Sequence, residues 1–128
     1  MTSPLEDALR IQLEAAQLGF DWREARELWD KLAEEVEELK QAATEGRERT
    51  RDELGDLLFM AVNLARHLHV DASAALTQTN EKFNRRFAWI MRHRDQLPPL
   101  GHPQRLEAME ALWQDAKRAE KPSGGSAE

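Results

Sequence analysis

Four acids within five positions, Glu34, Glu35, Glu37 and Glu38, and a second acid pair, Glu53 and Asp56, are the side chains of this sequence best placed to do chemistry. On a helix Glu35 and Glu38 are i,i+3 neighbours on one flank of the apolar stripe, while Glu37 goes round the other way. An acidic run alone is most often a solvated face. The second pair alters that balance. Between Leu54 and Ala65 only Asp56 and Asn63 carry polar side chains, and a helix apolar nearly all round is buried on most faces, so Asp56 is expected to project into protein. A buried carboxylate must then protonate or find a cation. Glu53, Asp56, Met60, Asn63 and His67 share one helical face. The two acid pairs together offer oxygen ligands for a hard cation such as Mg²⁺, which keeps positions open for waters and substrate phosphates. The structural alternatives are a capping box over Thr50-Arg51-Asp52-Glu53 and a salt bridge from Asp56 to a buried arginine.

Positive charge is concentrated elsewhere. Lys82, Arg85, Arg86, Arg92 and Arg94 fall in one stretch without an acid. Lys82, Arg86 and Trp89 lie on one side of their helix, and such cations suit the phosphate oxygens that a metal leaves uncovered. Pairing of these arginines with the glutamates of the acidic helix is the alternative. Other chemistries are excluded by composition or spacing. There is no cysteine, hence no thiol nucleophile, disulfide or zinc–thiolate site. None of His67, His69, His93 or His102 has Glu three residues before it, as a di-iron carboxylate bundle requires. There is no glycine-rich phosphate loop and no G-x-S-x-G elbow. Water activated by a metal is the nucleophile that remains.

The elements that must position these groups read as helices throughout. Ser3-Pro4-Leu5-Glu6 is a capping box opening a helix that runs to about residue 18, before Gly19. Asp21-Trp22-Arg23-Glu24 repeats the start signal, and the spacing of Ala25, Leu28, Trp29, Leu32, Val36, Leu39 and Ala43 predicts a second helix over about 22–45, ended by Gly46. A charged link, Arg47–Arg51, precedes a third helix to about His69, and Asp71 caps a fourth over about 72–96 with a core stripe of Ala72, Leu76, Thr79, Phe83, Phe87 and Ile90. The Pro98–Pro103 segment breaks it. A fifth helix over about 104–119 carries Leu106, Met109, Leu112, Trp113 and Ala116. No segment alternates with period two. The expected fold is an all-α antiparallel bundle of about five helices forming one domain over 1–120, followed by a disordered tail, 121–128. Its longest nearly uncharged stretch, Leu57–Ala65, is far too short to span a membrane, and Met1–Arg10 lacks a signal-peptide core, so a cytoplasmic location is expected. The third helix carries more apolar surface than one small bundle can cover, which points to a homodimer.

With these residues in place the sequence resembles the MazG-type nucleoside triphosphate pyrophosphohydrolases of the all-α NTP pyrophosphatase superfamily, and in particular the second, catalytic domain of tandem MazG proteins. Carrying the resemblance are Gly19-Phe20-Asp21-Trp22, the E-E-x-x-E motif at Glu34–Glu38, and the E-x-x-D motif at Glu53–Asp56. It continues through Val62–Leu68, Asn80–Phe87 and Trp113 with Lys117, in one order across about residues 12–119. It implies hydrolysis of an NTP between the α and β phosphates, Mg²⁺ as cofactor with Mn²⁺ as a substitute, and a homodimer. Glu35, Glu38, Glu53 and Asp56 resemble the metal ligands, and Glu34 an outer acid that helps orient the attacking water. Lys82 and Arg86 match phosphate-binding positions, and Trp113 with Lys117 the pair that closes over the nucleotide. Phe20 and Trp22 are candidate base contacts, with Asn63 a further substrate contact. By periodicity alone Trp113 reads as core. His69 stands where relatives often have Gly, which implies a left-handed backbone there.

The expected function is therefore Mg²⁺-dependent release of pyrophosphate from nucleoside triphosphates, in nucleotide-pool house-cleaning. A sister pyrophosphatase acting on dUTP, dCTP or phosphoribosyl-ATP is the near alternative, and a non-catalytic helical interaction module the distant one. The net charge of −6 fits this expectation, because Glu34–Asp56 holds nine acids against four bases. The excess that argues against nucleic acid as a partner lies where a cation would offset it.

Overall fold

The computed structural model describes residues 2–120, so the expected tail lies outside the described residues. The fold is all-α: α1 (Pro4–Gln17), α2 (Ala25–Ala42), α3 (Arg47–His67), α4 (Ala72–Arg92), a 3₁₀ turn (Arg94–Gln96) and α5 (Arg105–Glu120). Among the described residues there is no strand, and no helix is long and apolar enough to cross a membrane.

The helix boundaries follow from local chemistry. The Ser3 hydroxyl accepts from the Glu6 amide at 3.2 Å, and the Glu6 carboxylate accepts from the Ser3 amide at 2.9 Å, which closes the expected capping box. At the other end of α1, Gly19 takes φ +92°, and the Phe20 and Gly19 amides donate to the carbonyls of Ala15 and Ala16. His69, with φ +62°, ends α3 in the same way, and the Val70 amide donates to Ala65 at 2.9 Å. A left-handed residue is thus found where the resemblance implied one, at some steric cost for a side chain with a Cβ. Asp71 caps α4 by accepting from the Ser73 and Ala74 amides at 2.9 and 3.2 Å.

Two starts differ from expectation. α2 begins at Ala25, with Glu24 in the cap position and without a side-chain cap bond, because the Asp21 carboxylate is engaged by Arg66 and His67. The Arg47–Arg51 segment is helical, not a link, since α3 starts at Arg47. The Thr50 hydroxyl consequently lies inside the helix and donates toward the carbonyls of Gly46 and Ala42 at 2.7 and 3.1 Å, so Thr50–Glu53 is no capping box. That reach to Ala42 ties the first turn of α3 to the end of α2.

The chain divides after Leu76 into two compact units. In the first, α2 and α3 form an antiparallel hairpin joined by a four-residue turn, and α1 packs against α3. Leu28, Ala42, Met60 and Val62 are its buried apolar side chains. In the second, Ile90, Leu112 and Ala116 are buried. Phe83 packs on Trp113 with ring centres 5.4 Å apart, and Glu120 binds both Arg85 and Arg86. The apolar surface of α3 is covered less than the sequence implied: Leu54, Leu58 and Phe59 remain exposed, Leu58 to 54%. The expected core stripe of α4 is likewise open at Leu76, Phe83 and Phe87, and buried at Ile90.

Candidate functional site

The buried line of α2 runs Leu28, Glu35, Ala42, seven residues apart, so a glutamate occupies the middle of the face that α2 turns to its neighbour. The apolar periodicity placed Glu35 on the flank of that face. The helix is instead rotated to bury Glu35 and leave Trp29 and Val36 exposed. Opposite it α3 presents Glu53. One carboxylate oxygen from each of Glu35, Glu38 and Glu53 falls within a 4.8 Å cluster, and Asp52, Glu53 and Asp56 make a second cluster that shares Glu53.

The two acids facing each other are the least exposed of the set, with 7% of the Glu35 side chain and 12% of the Glu53 side chain accessible. Each is partnered on one side only. Lys31 approaches Glu35 Oε2 at 3.4 Å, and Arg49 approaches Glu53 Oε2 at 3.6 Å, while the Oε1 atoms of both are buried without a hydrogen-bond partner. Partial burial and then the charges of Glu38, Asp56 and Glu35 push the Glu53 carboxyl above its ordinary range. Partial desolvation by its neighbours and then the Asp52 and Glu35 charges do the same to Asp56. Glu35 in turn helps hold the Lys31 ammonium in its charged form, raising it. Like-charged carboxylates with unpartnered inward oxygens are what a hard divalent cation satisfies, and no internal cation takes that position among the described residues.

Asp56 differs from expectation: it is exposed, not projected into protein, because the α3 surface around it is open. Glu34 is exposed and meets Lys31 at 3.7 Å, outside both clusters. Asp52, assigned no role from sequence, joins the second cluster. Its position four residues before Asp56 was the available signal.

The first unit also holds a largely apolar cavity of about 550 Å³, lined by Ile11 and Gln12 of α1, Phe20 and Trp22 of the α1–α2 turn, and Phe59 and Asn63 of α3 among others. Trp22 and Asn63, expected to touch substrate, are thus brought to one wall. Asn63 is buried, and its carbonyl accepts from Arg66 at 2.7 Å. In the second unit Arg86 is buried, and its guanidinium donates to Glu120 at 3.1 Å and stacks 5.5 Å from the Trp113 ring centre. The acid that pairs with these arginines is therefore Glu120, which they hold below the ordinary glutamate range against the opposing effect of burial. Trp113 packs as periodicity suggested. Lys82 and Lys117 are half-buried.

The model of the MazG nucleotide pyrophosphohydrolase domain matches residues 23–91, a stretch that holds both acid motifs, Asn63, Lys82 and Arg86. A nucleoside triphosphate pyrophosphohydrolase of Escherichia coli is 42% identical over 118 residues, 88% of this chain and 44% of the relative. A nucleoside triphosphate pyrophosphohydrolase/pyrophosphatase MazG of Thermotoga maritima is 40% identical over 115 residues, with the same 88% and 44% coverage. The chain thus spans less than half the length of these curated relatives.

Because Glu53 and Asp56 bind protons more tightly folded than unfolded, their contribution to stability is complete below the unfolded carboxylate range and is lost as pH rises through their raised values. Glu53→Gln is therefore expected to raise the melting temperature of the metal-free protein near pH 7.5, with a smaller gain near pH 5, in thermal unfolding with EDTA. A gain that grows on acidification would contradict the crowding of these acids.

Proposed function

The chain belongs to the MazG nucleotide pyrophosphohydrolase domain family, and on that premise we propose that it hydrolyses nucleoside triphosphates between the α and β phosphates. One water is consumed, and a nucleoside monophosphate and pyrophosphate are released. The observation that carries this reading is the pair of buried, unpartnered oxygens on Glu35 and Glu53, in a cluster completed by Glu38 and extended by Asp52 and Asp56. Such an all-oxygen set suits Mg²⁺, with Mn²⁺ as a substitute. A cation held there would neutralise charge on the triphosphate and would make the attacking water more acidic.

The chain's own residues take the remaining roles. Glu35, Glu38, Glu53 and Asp56 hold the cation. Lys31 and Arg49 pair with the outer oxygens of Glu35 and Glu53, which leaves the inner ones free for the cation. Glu34 is assigned on the sequence pattern to an outer position that helps orient the attacking water, and the apolar cavity with Phe20, Trp22 and Phe59 offers flat surfaces to a base. Lys82, Arg86, Trp113 and Lys117 are assigned to the phosphates and nucleotide on the sequence pattern, with Arg86 shared with Glu120.

A second copy of the chain is the proposed cover for the exposed Leu54 and Leu58 of α3, since an apolar face of this kind on a small helical unit is an association surface. Sedimentation at micromolar concentration is expected to show a dimer, and a monomer would remove this assignment.

The activity itself is tested with a panel of ordinary and modified nucleoside triphosphates in Mg²⁺, scoring pyrophosphate against orthophosphate. Pyrophosphate is expected as the direct product, and orthophosphate would refute cleavage between α and β. Asp56→Ala is expected to lower turnover by about a hundredfold or more with the helical circular dichroism unchanged. Wild-type turnover in that variant would remove Asp56 from the cation site.

A further inference from the structure

The α1–α2 turn carries two of the three aromatic side chains of the cavity wall, yet little packing holds it. Phe20 is 83% exposed. What fixes the turn is one guanidinium. Arg66 donates through Nη1 and Nη2 to the two oxygens of Asp21, each at 2.9 Å. It also donates to Gln12 Oε1 at 3.2 Å and to Asn63 Oδ1 at 2.7 Å. The His67 ring closes on the same Asp21 carboxylate at 3.1 Å, and that carboxylate accepts from the Trp22 amide at 2.8 Å. Gln12 is itself buried and donates to the Phe59 carbonyl at 3.0 Å. Arg66 therefore joins α1, the aromatic turn and α3 through a planar fork whose geometry a lysine cannot reproduce.

We propose that the Asp21–Arg66 pair is a positioning latch that holds Phe20 and Trp22 in place as the base-contacting wall of the cavity, and so sets nucleotide affinity without taking part in bond cleavage. This rests on the nucleotide-hydrolysing reading above. The pair itself bears no cation-site oxygen, since neither Asp21 nor Arg66 belongs to an acid cluster. With the pair broken, the turn keeps its helix-end bonds to Ala15 and Ala16, and of its ties to α3 only the His67 ring remains on Asp21. Substrate binding then has to order the turn, and that ordering cost falls on affinity.

Two readouts on the full chain decide the matter. Asp21→Asn is expected to speed amide hydrogen exchange in residues 20–23. It is also expected to raise KM for nucleoside triphosphates about tenfold with kcat within about twofold and Mn²⁺ affinity unchanged. Arg66→Lys, which keeps the charge and loses the fork, is expected to move KM in the same direction, and a wild-type KM in Arg66→Lys would overturn the fork geometry. Unchanged exchange in Asp21→Asn would overturn the latch. Faster exchange with unchanged KM, or a fall in kcat alone, would overturn its role toward nucleotide. A wild-type protein that releases pyrophosphate from no nucleotide of the panel would remove the hydrolytic reading and the positioning role with it, while the exchange result still reports on the latch.

Discussion

Everything in the first unit is arranged around the meeting of Glu35 and Glu53 in the α2–α3 hairpin. Two helices pack through a seam that would ordinarily be apolar, and here a carboxylate stands on each side with its inner oxygen unpartnered. Desolvation and like charge both oppose that arrangement in the absence of a cation. Lys31 and Arg49 offset it only from outside, one turn away along each helix. The short turn between α2 and α3, and the Thr50 hydroxyl reaching back to Ala42, keep the two helices in register despite the repulsion. Structure is held against a local electrostatic penalty, and a divalent ion is the simplest agent that reverses the sign of that penalty.

Much of this was legible from residue types and spacing. Ser3 and Glu6 specify their capping box locally, and Gly19 and Asp71 mark helix boundaries by backbone chemistry that needs no tertiary partner. The two acid motifs and their i,i+3 geometry were equally local. What escaped was set by tertiary contact. Asp21 looks like an N-cap until a guanidinium 45 positions further along claims its carboxylate. Glu35 looks like a flank residue because periodicity counts apolar side chains, and cannot register that a helix will bury a glutamate and expose Trp29. Asp56 was expected inside because Leu54, Leu58 and Phe59 surround it in sequence, but those side chains are themselves uncovered in a single chain.

The same open surface connects fold to function. Apolar residues left exposed on α3 sit on the helix that also supplies Glu53 and Asp56, so covering that face and orienting those acids are coupled through one rigid element. Two turns further along the face that bears Asp56, Asn63 joins Arg66 in the polar network that anchors the aromatic turn. Helix α3 thus carries cation ligands, a cavity wall and an association surface on one element. A mutation at one of these is expected to be felt at the others mainly through movement of the whole helix.

Mn²⁺ titration of the full chain, followed by electron paramagnetic resonance, reads directly whether the α2–α3 carboxylates form a divalent cation site. Saturable Mn²⁺ binding by the wild-type protein is expected, displaced by Mg²⁺, and sharply weakened in Glu35→Gln and Glu53→Gln, which keep side-chain shape and remove charge. Equal Mn²⁺ binding by wild type and both variants, or no saturable binding at all, would contradict such a site.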